Sequence, residues 1–141
     1  MGNRTLAIIK PDAIQNGYLG KIINRIVEAD FSIIGARLVK MTKQRAEDFY
    51  AVHRGKPFFE ELTTFMSSGE CMVLALEKES AVEAWRQVIG ATNPAEAEAG
   101  TIRKDFATNL SRNAVHGADN DENATREIRF FFDEDELINR A

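Results

Sequence analysis

Cys71-Met72-Val73-Leu74-Ala75-Leu76 is an unbroken apolar run. Six residues suit a strand better than a helix, and a run without polar breaks is what a strand covered on both faces shows. A central strand is therefore expected here, with a helix on either side. Before it, Pro57 opens a helical stretch with Phe58, Phe59, Leu62, Phe65 and Met66 at helical spacing, and Gly69 ends it. After it, Ser80 and Glu83 match a capping box. Val82, Trp85, Val88 and Ile89 form the apolar face of the helix that follows, and Gly90 closes it.

Further toward the N-terminus, Thr5-Leu-Ala-Ile-Ile-Lys10 reads as a buried strand that Pro11 breaks, with Asp12 starting a turn. Leu19, Ile22, Ile23, Ile26 and Val27 share one helical face. Residues 31–41 alternate loosely at Phe31, Ile33, Ala36 and Leu38, which predicts a second strand. Thr42 then caps a helix with Ala46, Phe49, Tyr50 and His53 on one side. Toward the C-terminus, residues 91–112 are irregular. Asn93 and Pro94 suit a short turn, and Thr101 to Asp105 is expected as loop. A strand leads through Ala114 and Val115 to His116. A helix follows over 121–132, with Ala124, Ile128, Phe131 and Phe132 inward, and an acidic tail with room for one helical turn ends the chain.

This order contains a β-α-β-β-α-β skeleton. It predicts an α+β, ferredoxin-like sandwich: a four-stranded antiparallel sheet with covering helices and an inserted loop. Strand order is left open by the pattern. The 141 residues fit one domain, 1–141, with one core.

Totals narrow the function classes. No apolar run approaches the length that crosses a bilayer, and no signal peptide is expected at the start. The single cysteine, Cys71, cannot form an internal disulfide and suits a buried position in a reducing, cytoplasmic setting. A formal net charge of −4 opposes a broad nucleic-acid surface but leaves room for an anionic ligand at a local cluster of cations. Two histidines and one cysteine rule out most multi-ligand transition-metal sites. The Walker A loop, the His-Glu-x-x-His pattern and the Gly-x-Ser-x-Gly elbow are all missing.

One histidine stands out. In Asn113-Ala-Val-His116-Gly-Ala-Asp119-Asn120 it lies between a short apolar run and a glycine. Taken alone, it could be a nucleophile, a general base, a metal ligand or a polar turn residue. The segment resembles the active-site signature of the nucleoside diphosphate kinases. Ile9-Lys10-Pro11-Asp12, Tyr50 ahead of Lys56-Pro57-Phe58-Phe59, Gly90-Ala-Thr92-Asn93-Pro94-Ala95 and Gly100-Thr101-Ile102-Arg103 follow the same family in order and spacing. The resemblance runs from about Thr5 to Phe132, and the chain length is similar to that of bacterial members.

The resemblance implies transfer of the terminal phosphate from nucleoside triphosphates to nucleoside diphosphates. It implies ping-pong catalysis through a phosphohistidine at His116, with broad base specificity (ATP, GTP and GDP among the substrates). Glu127 would orient the imidazole, and Tyr50 would stand near the transferred phosphate. Lys10, Arg86, Arg103 and Thr92 would contact phosphates and sugar, and Asn113 the ribose. Phe58 would stack on the base, with Leu62 and Leu110 lining the slot. Mg²⁺ would come with the nucleotide, with Asp119 reaching it through a water and no dedicated protein cage. A cytoplasmic homo-oligomer is implied, a tetramer or hexamer built from a common dimer. His53 has no comparable motif and reads as an ordinary helix-face residue. The family usually has serine where this chain has Ala118, so one hydroxyl near the histidine is missing. That departure is the one feature favouring a catalytically weak nucleotide-binding module.

Overall fold

The computed structural model describes residues 2–139; Arg140 and Ala141, the end of the acidic tail, lie outside them. The elements are β1 (Arg4–Ile9), α1 (Pro11–Gln15), α2 (Leu19–Glu28), β2 (Ser32–Val39), α3 (Lys43–Phe49), α4 (Phe59–Met66), β3 (Cys71–Glu77), α5 (Ala81–Ile89), α6 (Ile102–Phe106), β4 (Val115–Gly117) and α7 (Asp121–Phe131). Short 3₁₀ turns lie at Ala51–His53, Pro94–Glu96 and Glu134–Glu136. The strands form one antiparallel sheet in the order β2-β3-β1-β4. The expected ferredoxin-like α+β sandwich is thus the observed fold, and β3 is internal as its apolar run requires.

Both faces of the sheet are covered, so β1 and β3 have no polar side to show. Leu6 and Ile8 of β1 pack with Phe49, Tyr50, Met66 and Phe131 on one face. Ala7 and Ile9 pack with Ile22, Ile26, Trp85 and Ile89 on the other. The two-residue period of a strand divides a continuous apolar run between two cores.

Several local expectations change. Pro11 does not simply break the strand; it opens α1, where its missing N–H costs nothing. The Ser80–Glu83 capping box does not form. Ser80 has φ 52°, in the left-handed region, and its side chain accepts no cap hydrogen bond. Thr101 to Asp105 is not loop: Thr101 caps α6 by accepting from the Lys104 N–H at 3.3 Å. α3 ends at Phe49 and passes into a 3₁₀ turn, so His53 leaves the helical face. α4 starts at Phe59, leaving Pro57 and Phe58 in the preceding loop. In β2 a register shift between Ile33 and Gly35 changes the alternation, so Ile34 is buried while Leu38 is half exposed. Val27, at the end of the α2 stripe, is likewise exposed. Ala114 lies outside β4, and Phe132 lies beyond the end of α7 with extended backbone, though still buried.

Candidate active site

β4 is the shortest strand, and its position fixes the centre of the site. His116 pairs with Ile8 of β1, and Val115 pairs with Ile9. The Trp85 indole N–H donates to the His116 carbonyl at 3.0 Å, tying the strand to α5. Gly117 suits that closeness: a Cβ there would stand 3.0 Å from both Trp85 Cδ1 and Ile89 Cδ1, so those side chains would have to shift by a few tenths of an ångström.

The imidazole of His116 is largely buried, at 14% side-chain exposure, with its Nε2 2.7 Å from Glu127 Oε1. A carboxylate only accepts, so Nε2 carries the proton and Nδ1 keeps the free lone pair. Glu127 comes from α7, whose buried face is Ala124, Glu127, Ile128 and Phe131. Its place in that i, i+3, i+4, i+7 stripe was legible as an inward position. Asn120 caps α7 by accepting from the Asn123 N–H at 2.8 Å. Asn ahead of an acidic first turn is a cap signal that the sequence reading missed.

Tyr50 stands beside this pair, its ring 6.1 Å from that of His116. Its hydroxyl is buried without a partner. Burial, reinforced by the Glu127 charge, pushes the phenol upward, so the hydroxyl stays a neutral donor.

Lys10, at the end of β1, points its ammonium at Asn113 Oδ1, 2.9 Å away. The Asn113 amide donates in turn to the Thr92 carbonyl at 3.3 Å. Burial first, then the nearby Arg103 charge, lowers the Lys10 ammonium to about 8, against the opposing pull of Asp12. Asp12 is itself buried and raised by desolvation, with Lys10 and the Ala114 N–H offsetting part of the rise. Sequence reading placed Asp12 only at a turn; an acid two residues after a buried lysine was the available signal.

The backbone between Asn113 and Val115 is unusual. Ala114 has φ 72°, and the Val115 N–H donates to the Asn113 carbonyl at 2.8 Å. That pairing marks the rarer γ-turn, a conformation costing about 1–3 kcal/mol for a residue with a Cβ. Arg103 braces it. Its guanidinium donates to the carbonyls of Asn113 at 3.3 Å, Gly90 at 3.1 Å and Val115 at 2.8 Å. Burial and the Arg86 charge lower it to about 10. Three of its five N–H groups are occupied, so each terminal nitrogen retains one N–H for a ligand.

Two clefts meet at Thr92. The larger, about 1270 Å³, takes Lys10, Phe58, Leu62, Thr92, Leu110 and Asn113 into its wall. The smaller, about 690 Å³, takes Thr92, Arg86, Arg103, Gly117 and Asp119. Phe58 is 48% exposed and Leu110 57% exposed, so neither is a core residue and both face the open cleft. Arg86 is paired with Asp119 at 2.9 Å. Of the sequence-predicted site residues, His116, Glu127 and Tyr50 lie together in the interior, Lys10, Phe58, Leu62, Leu110 and Asn113 line the larger cleft, Arg86, Arg103 and Asp119 line the smaller, and Thr92 lines both. His53 packs between Tyr50 and Phe58, with ring centroids 6.3 and 5.3 Å away.

A family model described as nucleoside diphosphate kinase matches residues 3–137. The nucleoside diphosphate kinase of Geotalea uraniireducens (strain Rf4) is 53% identical over 135 residues, covering 96% of this chain and 98% of the relative. Among solved structures, an orthorhombic crystal form of the Aquifex aeolicus nucleoside diphosphate kinase superposes with a TM-score of 0.95 at 42% identity, over 96% of this chain and 99% of that one. A halophilic nucleoside diphosphate kinase from Halobacterium salinarum, in complex with CDP, gives a TM-score of 0.94 at 35% identity, covering 100% and 94%.

Proposed function

Because the chain belongs to the nucleoside diphosphate kinase family and is a nucleotide phosphotransferase, we propose that it moves the terminal phosphate of a nucleoside triphosphate onto a nucleoside diphosphate through a phosphohistidine at His116. The observation that carries this reading is the 2.7 Å contact between His116 Nε2 and Glu127, which leaves Nδ1 as the nucleophile. The Nδ1 lone pair attacks the terminal phosphorus, the bond to the bridging oxygen breaks, and the nucleoside diphosphate leaves. The second diphosphate enters the same cleft and its terminal oxygen reverses the step. Imidazole is neutral and nucleophilic near pH 7, so no separate base is needed.

Lys10, Arg86 and Arg103 offset the phosphate charge, with Thr92 between them. Arg86 exchanges Asp119 for phosphate oxygens, and Arg103 contributes its two remaining terminal N–H groups. Tyr50 donates its unpartnered hydroxyl toward the transferred group. Asn113 and Lys10 meet the ribose. The base enters between Phe58 and Leu110, with Leu62 beneath; stacking on a π face tolerates every base, which accounts for broad specificity. Members of a nucleotide-binding kinase family generally use a divalent metal. Among the described residues no group of three or more His, Cys, Asp or Glu could hold one. Asp119, which is paired with Arg86 in the smaller cleft, together with phosphate oxygens and waters suits Mg²⁺ carried by the nucleotide. When bound, the ion neutralises charge on the phosphates. No helix among the described residues is long and apolar enough to cross a membrane. A cytoplasmic homo-oligomer, tetramer or hexamer, of this one domain completes the reading.

Incubation with γ-labelled ATP tests it. The expected product is protein carrying alkali-stable, acid-labile label that passes to added GDP; active enzyme that never carries label would sink the covalent route.

The Lys10 shift predicts a pH effect. A cation is needed for phosphate, and Lys10 loses its charge as pH rises through about 8. Since kcat/KM reports the free enzyme, it should fall toward tenfold per pH unit above that point, and Lys10→Arg should remove the fall. Unfolding is not the cause expected in this window. The lowered folded value means that the unfolded chain binds more protons there, so Lys10 makes stability rise with pH.

Ala118 is 2% exposed and packs with Val82 and Ala124. It leaves His116 and Glu127 in contact, so Ala118→Ser should change kcat by less than about tenfold, or about 1.4 kcal/mol. Steady-state turnover of the two enzymes measures this, and a larger change would give the missing hydroxyl a role in the step.

A further inference from the structure

The strained γ-turn at Ala114 lies two residues before His116, and such backbone persists only where its surroundings hold it. Ala114 is held at both ends by one short segment. The Lys10 backbone N–H donates to the Ala114 carbonyl at 2.8 Å, and Asp12 Oδ2 accepts from the Ala114 N–H at 3.1 Å. The first contact is main chain and survives most substitutions at position 10. The second depends on the Asp12 side chain.

We propose that Asp12 is a positioning residue for phosphoryl transfer: its carboxylate holds the Ala114 γ-turn, and through that turn it places the Asn113 side chain and His116. This rests on the reading of His116 as nucleophile. The consequences of the turn lie on either side of it. Asn113, before it, directs its amide to Lys10 and Thr92. Val115, after it, enters β4 in register with Ile9, which sets His116 opposite Ile8. Asp12 is 5% exposed, and a carboxylate is costly to bury without a task of this kind. It sits in the first turn of α1, immediately after Pro11 has fixed the backbone, so its own place is rigid. An acceptor here opposes relaxation of Ala114 to ordinary backbone, because relaxation would withdraw the N–H from the carboxylate.

The test is the single-turnover rate at which ATP phosphorylates His116, with KM measured alongside. Asp12→Ala should slow phosphorylation by about tenfold, the scale of a small misplacement of a reacting group. Asp12→Asn keeps an oxygen acceptor and should stay within about threefold of the wild type. Glycine adopts positive φ without the Cβ penalty, so Asp12→Ala in an Ala114→Gly background should return to within about threefold of Ala114→Gly alone. Equal slowing in both backgrounds, or Asp12→Asn as slow as Asp12→Ala, would overturn the proposal and move the effect to the charge on Lys10. Should Asp12→Ala not fold, the double variant decides: it is expected to fold and to take label, and its failure to do either overturns the proposal. An unlabelled wild type would remove the nucleophile and this inference together, whereas the Asp12 comparison bears on the inference alone.

Discussion

Alanine at position 116 leaves a folded protein that takes no label from γ-labelled ATP and transfers phosphate on the order of 10⁴-fold more slowly, or worse. The size of the effect follows from the chemistry available. Among the described residues one imidazole, His116, is held by a buried carboxylate, and the next residue of its strand, Gly117, lines the smaller cleft. Tyr50 and Cys71, the other buried groups with nucleophilic atoms nearby, are both pushed upward by burial, Cys71 to about 12, and so remain protonated. Lys10 is engaged with Asn113. His53, the other imidazole, packs between Tyr50 and Phe58 and among the described residues has no carboxylate partner like Glu127. Nucleotide affinity should change little, since the base, ribose and phosphate contacts come from other residues. Circular dichroism, equilibrium nucleotide binding and label incorporation on the same preparation separate these outcomes. Transfer within tenfold of the wild type would mean that phosphate passes directly between nucleotides.

Removing the carboxylate at 127 comes next in size. Glu127→Ala should lower kcat by about 10²-fold, the upper range for losing a buried partner that orients a reacting imidazole. Two losses combine. Without Oε1 the proton can sit on either nitrogen, so the tautomer with a free Nδ1 is no longer enforced. As Nδ1 bonds to phosphorus, the ring gains positive charge, and a carboxylate 2.7 Å from the other nitrogen stabilises that charge in surroundings closed by Phe49 and Tyr50. Glu127→Gln keeps an acceptor but loses the charge, so it should fall between alanine and the wild type. The comparison of kcat with KM is decisive. A solvated glutamate would leave kcat unchanged, and a binding residue would raise KM alone.

The parts of the fold that were legible were those written in local periodicity. The apolar run at 71–76, the stripe of α5 and the inward face of α7 all correspond to elements, with Met72 and Val88 only partly buried and Phe132 just past the end of α7. The misread places were those where a distant contact chose between local options. Ser80 satisfies the capping-box pattern, but the chain approaches α5 with left-handed backbone at that residue, and the Ala81 N–H is taken by the Gly2 carbonyl instead. Thr101 to Asp105 lacks a long stripe, yet Ile102 and Arg103 become buried and their turn closes into α6. Phe58 shares a helical spacing with Leu62 and Phe65 but falls before the helix starts, so it faces the cleft instead of the core.

The same division runs through the site. Sequence alone named the candidate site residues, because the order and spacing of their segments carry the family resemblance. It also determined the fold class, since the two-residue and 3.6-residue periods are properties of short segments. Only the tertiary structure decided that Lys10 and Asn113, 103 positions apart, share a hydrogen bond. It likewise decided that Arg103 braces the turn while keeping donors for a ligand, and that Asp12 grips Ala114 across 102 positions. Such contacts depend on strand order and on close backbone approach, and no local period encodes either.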